Sequence, residues 1–138
     1  MKKYYFALIF AVSLILSCGG ALKNKLAGKW VSEYSQQDGS FCVDTTVFGK
    51  DGRYYSVVNA TTEDKKKTVR VITDGTYYIQ DGADNSFYVD AKSTYKGVLT
   101  EVVNREYKII NVDDNSLAFE YEVGFSKFIS NYKKISDE

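Results

Sequence analysis

Leu26-Ala27-Gly28-Lys29-Trp30-Val31 decides how the chain is read, because it holds the only tryptophan and marks where the hydrophobic pattern changes period. From Gly28 onward the residues alternate. Trp30, Ser32 and Tyr34 share one face, while Lys29, Val31 and Glu33 share the other, as expected for a strand with one buried side. Gln36-Gln37-Asp38-Gly39-Ser40 then turns the chain. Upstream, Leu22 to Ala27 fits a turn of helix with Leu22 and Leu26 on one side, a lid or plug beside the first strand.

Outward from this stretch, the pattern is β throughout. Phe41 to Gly49 and Arg53 to Thr61 are β-rich runs joined by Gly49-Lys50-Asp51-Gly52, the clearest hairpin signal in the chain. Thr68 to Thr73 is expected as a strand, Asp74-Gly75 as a bend, and Thr76 to Gln80 as its continuation. Ser86 to Asp90 and Leu99 to Asn111 supply further strands, with Ala91 to Val98 less regular between them. Leu117, Phe119, Tyr121 and Val123 alternate with Ala118, Glu120 and Glu122, and Phe125 to Ile135 closes the chain. About eight to ten strands with Asp-Gly and Asn-rich turns predict an all-β antiparallel sandwich or barrel. Closure into a barrel would remove the exposed edges that strands so rich in Tyr, Val and Thr make hazardous.

Composition narrows the function. The 138 residues suit one domain, and 44% apolar content with 15% aromatics supports a packed core. Eighteen basic residues balance eighteen acidic ones, so nothing points to nucleic acid. Histidine is absent, which removes the commonest general base and zinc ligand, and proline is absent, leaving strand interiors uninterrupted.

The N-terminus reads as a delivery segment. Met1-Lys2-Lys3 is a positive n-region, Phe6 to Leu16 is an apolar run too short for the ~20 residues of a spanning helix, and Ile15-Leu16-Ser17-Cys18 follows. That tetrapeptide resembles the bacterial lipobox. The resemblance implies a signal peptide over 1–17, palmitate-type acyl chains on Cys18, a tether over 18–25 and a folded domain over 26–138. Gly19, rather than aspartate, after the cysteine implies the outer membrane by the enterobacterial sorting rule, and no surface-export cluster follows, so a periplasm-facing position is expected. Lipidation would leave Cys42, between Phe41 and Val43, as a lone cysteine best read as a small strand residue.

Three motifs carry a family resemblance. Leu26-Ala27-Gly28-Lys29-Trp30 resembles the Gly-x-Trp signature of the first lipocalin strand; Phe48-Gly49-Lys50-Asp51-Gly52-Arg53-Tyr54 and Gly75-Thr76-Tyr77-Tyr78-Ile79 are similar to two recurrent pieces of bacterial lipocalin-like domain proteins of the calycin group. The resemblance implies an up-and-down barrel whose floor is marked by Gly28 and Trp30, with a basic side chain of the last strand over the indole. Lys133 and Lys134 are the alternatives, and Lys134, which shares a face with Tyr132 and Phe128, is the expected one. Candidate ligand-lining residues are Tyr34, Phe48, Tyr54, Tyr77, Tyr107, Phe119, Tyr121 and Tyr132.

The function expected is therefore a membrane-anchored binding protein for a small hydrophobic or amphipathic ligand. The alternative is a filled barrel acting through its surface, for instance a patch at Tyr55, Val57 and Tyr78, as an inhibitor or assembly partner of another envelope protein. No catalytic residue, metal or cofactor is expected: there is no Cys-x-x-Cys, phosphate loop or nucleophile elbow. Glu33, Asp44, Glu101, Glu106, Glu120 and Glu122 read as solvated outer-face residues.

Overall fold

In the computed structural model, residues 20–80, 82 and 85–137 are described. The leader over 1–17 and Cys18 lie outside the described residues. A short helix over 20–26 leads into eight antiparallel strands: β1 (Gly28–Ser35), β2 (Phe41–Phe48), β3 (Arg53–Thr61), β4 (Thr68–Tyr78), β5 (Ser86–Tyr95), β6 (Val98–Val112), β7 (Ser116–Val123) and β8 (Ser126–Ser136). Each strand pairs with the next, and β8 returns to β1 to close the barrel. With this topology the β1–β2, β3–β4, β5–β6 and β7–β8 turns lie at one end, the mouth. The helix and the remaining turns lie at the other, the floor.

The floor explains the Gly-x-Trp sequence. Gly28 takes φ +136° where the helix gives way to β1, and a Cβ there would sit 2.8 Å from both Lys134 Cε and the Ser136 carbonyl oxygen. That close approach of β8 lets Trp30, fully buried, donate its indole N–H to the Leu26 carbonyl at 2.8 Å. Lys134 is the side chain over the indole, its Nζ 5.3 Å from the ring centroid and 3.0 Å from Asp137. Leu22 and Leu26 are buried in the core, so from residue 20 the expected tether is helix forming the barrel floor, not an extended spacer.

Three strand expectations change. Asp74-Gly75 is not a bend: β4 runs straight through it, and Gly75 is required there because a side chain would collide with the Asp90 carbonyl oxygen and come 2.5 Å from Ala91 Cα. Ala91 to Tyr95 continues β5, with a register shift against β6 at Ser93–Thr94, and the turn falls at Lys96-Gly97, where both residues have positive φ. β6 is longer than expected at both ends, from Val98 to Val112.

The wall is not bonded equally all the way round. The β6–β7 ladder runs only between Lys108–Glu120 and Val112–Leu117, and the β8–β1 ladder only from Ser136–Lys29 to Lys133–Val31. Above those points, β7 and β8 are paired with each other alone. The mouthward half of the β7–β8 hairpin thus stands as a two-stranded flap with a seam on each side.

Candidate functional site: the barrel interior and its mouth

Register fixes which residues face inward, and these form three levels. On the floor, Phe48 lies edge-on to Tyr54, Tyr77 and Phe87 at centroid distances of 5.5, 5.1 and 5.3 Å. Phe87 stacks on Tyr107 at 5.1 Å, and Phe119 meets Phe87, Tyr107 and Tyr132. Six expected lining residues, Phe48, Tyr54, Tyr77, Tyr107, Phe119 and Tyr132, are therefore buried in one aromatic cluster that fills the lower barrel. Phe87 and Leu117 join them; Phe87, absent from the sequence-derived lining, belonged there by alternation with Val89 and Ala91.

The middle level is polar. Ser32, Asp44, Thr46, Ser56, Thr73, Ser93, Glu101 and Arg105 occupy inward register positions on β1 to β6. Asp44 is the centre of this belt: its Oδ1 accepts from Thr46 Oγ1 at 2.8 Å and Ser56 Oγ at 2.9 Å, and its Oδ2 accepts from the Tyr132 hydroxyl at 2.6 Å. Asp44 is therefore not a solvated outer-face residue; Glu101, half exposed, also faces the lumen by register. The alternation that puts Phe48 inside puts Thr46, Asp44 and Cys42 inside with it. Across the lumen, Arg105 donates to Glu101 at 2.7 Å, and its guanidinium lies 5.4 Å from the Tyr121 ring centroid. Thr73 and Ser93 share a hydrogen bond at 2.7 Å.

The mouth is open. Tyr34 and Phe128 face inward by register, yet are 42% and 45% exposed. Val58, Val71, Tyr95 and Tyr121 line the same level, half-buried, and Cys42 is fully buried in the wall opposite Tyr34 on the neighbouring strand. At the β6–β7 seam a cleft of about 290 Å³ lies on the wall, lined by inward-facing Arg105 and Tyr121 and by outward-facing Glu106, Lys108, Glu120, Glu122 and Lys127.

Burial controls the phenols. It pushes Tyr107 up to about 12, and Tyr77 up to about 12 with help from Asp51. Burial, then Cys42 and Asp44, pushes Tyr34 up to about 12; burial first, with Asp44 adding, holds Tyr132 well above its ordinary value. These hydroxyls are neutral at physiological pH, and those of Tyr77 and Tyr132 donate to the Gly49 carbonyl and to Asp44. Among the described residues, no group of three or more Cys, Asp or Glu side chains is placed to hold a metal ion.

The outer-face patch expected at Tyr55, Val57 and Tyr78 is reduced. Arg53 lies 5.2 Å over the Tyr55 ring, Val57 is half-buried, and Tyr78 stacks on Tyr88 at 5.2 Å. Tyr78 stays exposed, and further exposed apolar side chains lie near the mouth on β6 and on the flap: Val98, Leu99, Val102, Val123, Phe125 and Ile129.

No family model and no curated protein matches the chain. Among solved structures it is similar to a redesigned β-barrel, mFAP1, bound to DFHBI, with 13% sequence identity over 83% of this chain and 98% of that one, at a TM-score of 0.47.

Proposed function

We propose that this protein is a lipocalin-like, membrane-anchored binding protein without catalytic activity, whose barrel takes a small amphipathic ligand through its open mouth. The observation that carries the reading is the division of the lumen. The lower half is packed with rings, whereas the upper half is an open cup in which inward-facing Tyr34 and Phe128 remain exposed above a belt of polar groups. A few convergent polar groups below apolar walls suit a ligand with one polar end and an apolar body. The lining on this reading is Tyr34, Asp44, Val58, Tyr121 and Phe128 rather than the floor cluster.

The Ile15-Leu16-Ser17-Cys18 sequence supports lipid attachment at Cys18 and an outer-membrane, periplasm-facing location. Because the helix over 20–26 packs on the floor, an anchored barrel would hold its floor toward the membrane and its mouth away from it. Native mass spectrometry of the protein taken from its own envelope tests the binding reading: a small amphiphile recovered at about one per chain supports it, and consistent recovery of ligand-free protein contradicts it. Cys18→Ala should release the protein from membranes; retention would contradict the anchor.

A further inference from the structure

We propose that Asp44 is the recognition point for an ammonium group, so that the ligand of the barrel is a cationic amphiphile rather than a fatty acid; this rests on the reading of the cup as a ligand site. Asp44 faces the lumen from the middle of β2, opposite Ser32 on β1 and Val58 on β3. Its partners, Thr46, Ser56 and Tyr132, are hydroxyls, and among the described residues no Lys or Arg nitrogen forms an ion pair with it.

The other lumenal charges are already matched. Arg105 is held by Glu101 at 2.7 Å, and Lys134, at the floor above Trp30, is held by Asp137 at 3.0 Å. Asp44 is thus the one lumenal charge whose counter-charge the described chain does not supply. A carboxylate offers about four lone-pair positions, and three are used, two on Oδ1 and one on Oδ2. A further donor at Oδ2 completes the set, and a charged N–H makes the stronger bond there.

The surroundings fit the same chemistry. Tyr34, one inward position above Asp44 and opposite Cys42, supplies an aromatic side chain beside an ammonium group bound there, whereas the Tyr121 ring is taken by the Arg105 guanidinium and by stacked Phe128. Val58, Val71 and Phe128 offer apolar contact toward the mouth. A carboxylate head would instead meet Asp44 as a like charge, with the lumenal guanidinium already committed to Glu101.

Octylamine, 1-octanol and octanoate share one chain length and differ in head charge. Their affinities would be measured by calorimetry on the full chain in phosphatidylcholine nanodiscs, with empty nanodiscs subtracted. The expected order is octylamine tighter than octanol by about tenfold, with octanoate weakest. Asp44→Asn, of the same shape, should bring octylamine to within about threefold of octanol and leave octanol unchanged. Octanoate binding as tightly as octylamine in the natural protein, or an amine preference that survives Asp44→Asn, would overturn the assignment while leaving the cup as a binding site. Binding of none of the three would overturn both. The comparison on the natural protein decides the matter even if the variant folds poorly.

Discussion

Lys134 shows how much one side chain at the floor is worth. Its side chain is largely buried and its ammonium lies 5.3 Å from the Trp30 ring centroid, a partly desolvated cation–π contact. Lys134→Met keeps the aliphatic stem but removes the charge, and should cost about 0.5–2 kcal/mol, read as a lower urea midpoint. Lys134→Arg should restore most of that loss; a Met variant as stable as the natural protein would contradict the contact. The tyrosines give a second test at this scale. Their folded-state values are raised, so the unfolded chain ionises first and stability falls as pH rises from about 10 toward 12. Tyr54 and Tyr132, held well above the ordinary phenol value by burial, should ionise only as the fold is lost. Absorbance at 295 nm should therefore show a late, cooperative phase coincident with loss of circular dichroism. Tyr34, Tyr54, Tyr77, Tyr107 and Tyr132 all titrating near pH 10 in a folded protein would contradict it.

At the scale of elements, β4 and the β7–β8 hairpin behave oppositely. Gly75 lets β4 and β5 approach so closely that Gly75→Ala should cost roughly 1–3 kcal/mol, seen as a fall in thermal midpoint; an unchanged midpoint would show that the β4–β5 contact relaxes freely. This was the glycine whose sequence context suggested a bend, since Asp-Gly is a strong turn signal and only the neighbouring strand reveals the close approach. The mouthward half of β7–β8 carries few neighbours and an exposed tip at Phe125. In hydrogen exchange, amides over 121–128 should exchange well before those of β2 to β5, because a hairpin bonded on neither side is marginal by itself. Equal protection would mean that the seams are closed in solution. Alternation located most strands and the Gly49–Gly52 hairpin, because period two is a local signal. The seams depend on where two ladders stop, which no local pattern encodes.

For the whole molecule, an antiparallel barrel with its floor at Gly28 and Trp30 and a basic side chain of the last strand over the indole was legible from short motifs, while the choice of Lys134 over the adjacent Lys133 needed the structure. The binding cup was less so. Tyrosine and phenylalanine at inward positions look alike in sequence whether they fill a barrel or line a cavity; only their height along the strand separates Phe48 and Phe119, on the floor, from Tyr34 and Phe128, at the mouth. Asp44 was readable by extending the alternation from Phe48, but a carboxylate on a strand suggests the solvent side unless partners such as Ser56 and Tyr132 are seen around it. On the proposed reading the barrel is solid below and open above, with the open half holding the ligand. An amide-detected NMR titration of the full chain with uncharged 1-octanol tests this directly. Shifts concentrated at Tyr34, Asp44, Val58, Val71 and Tyr121, with Phe87, Leu117 and outer-face Tyr78 unmoved, are the predicted result. Shifts confined to the outer face, or none at saturating octanol, would contradict it.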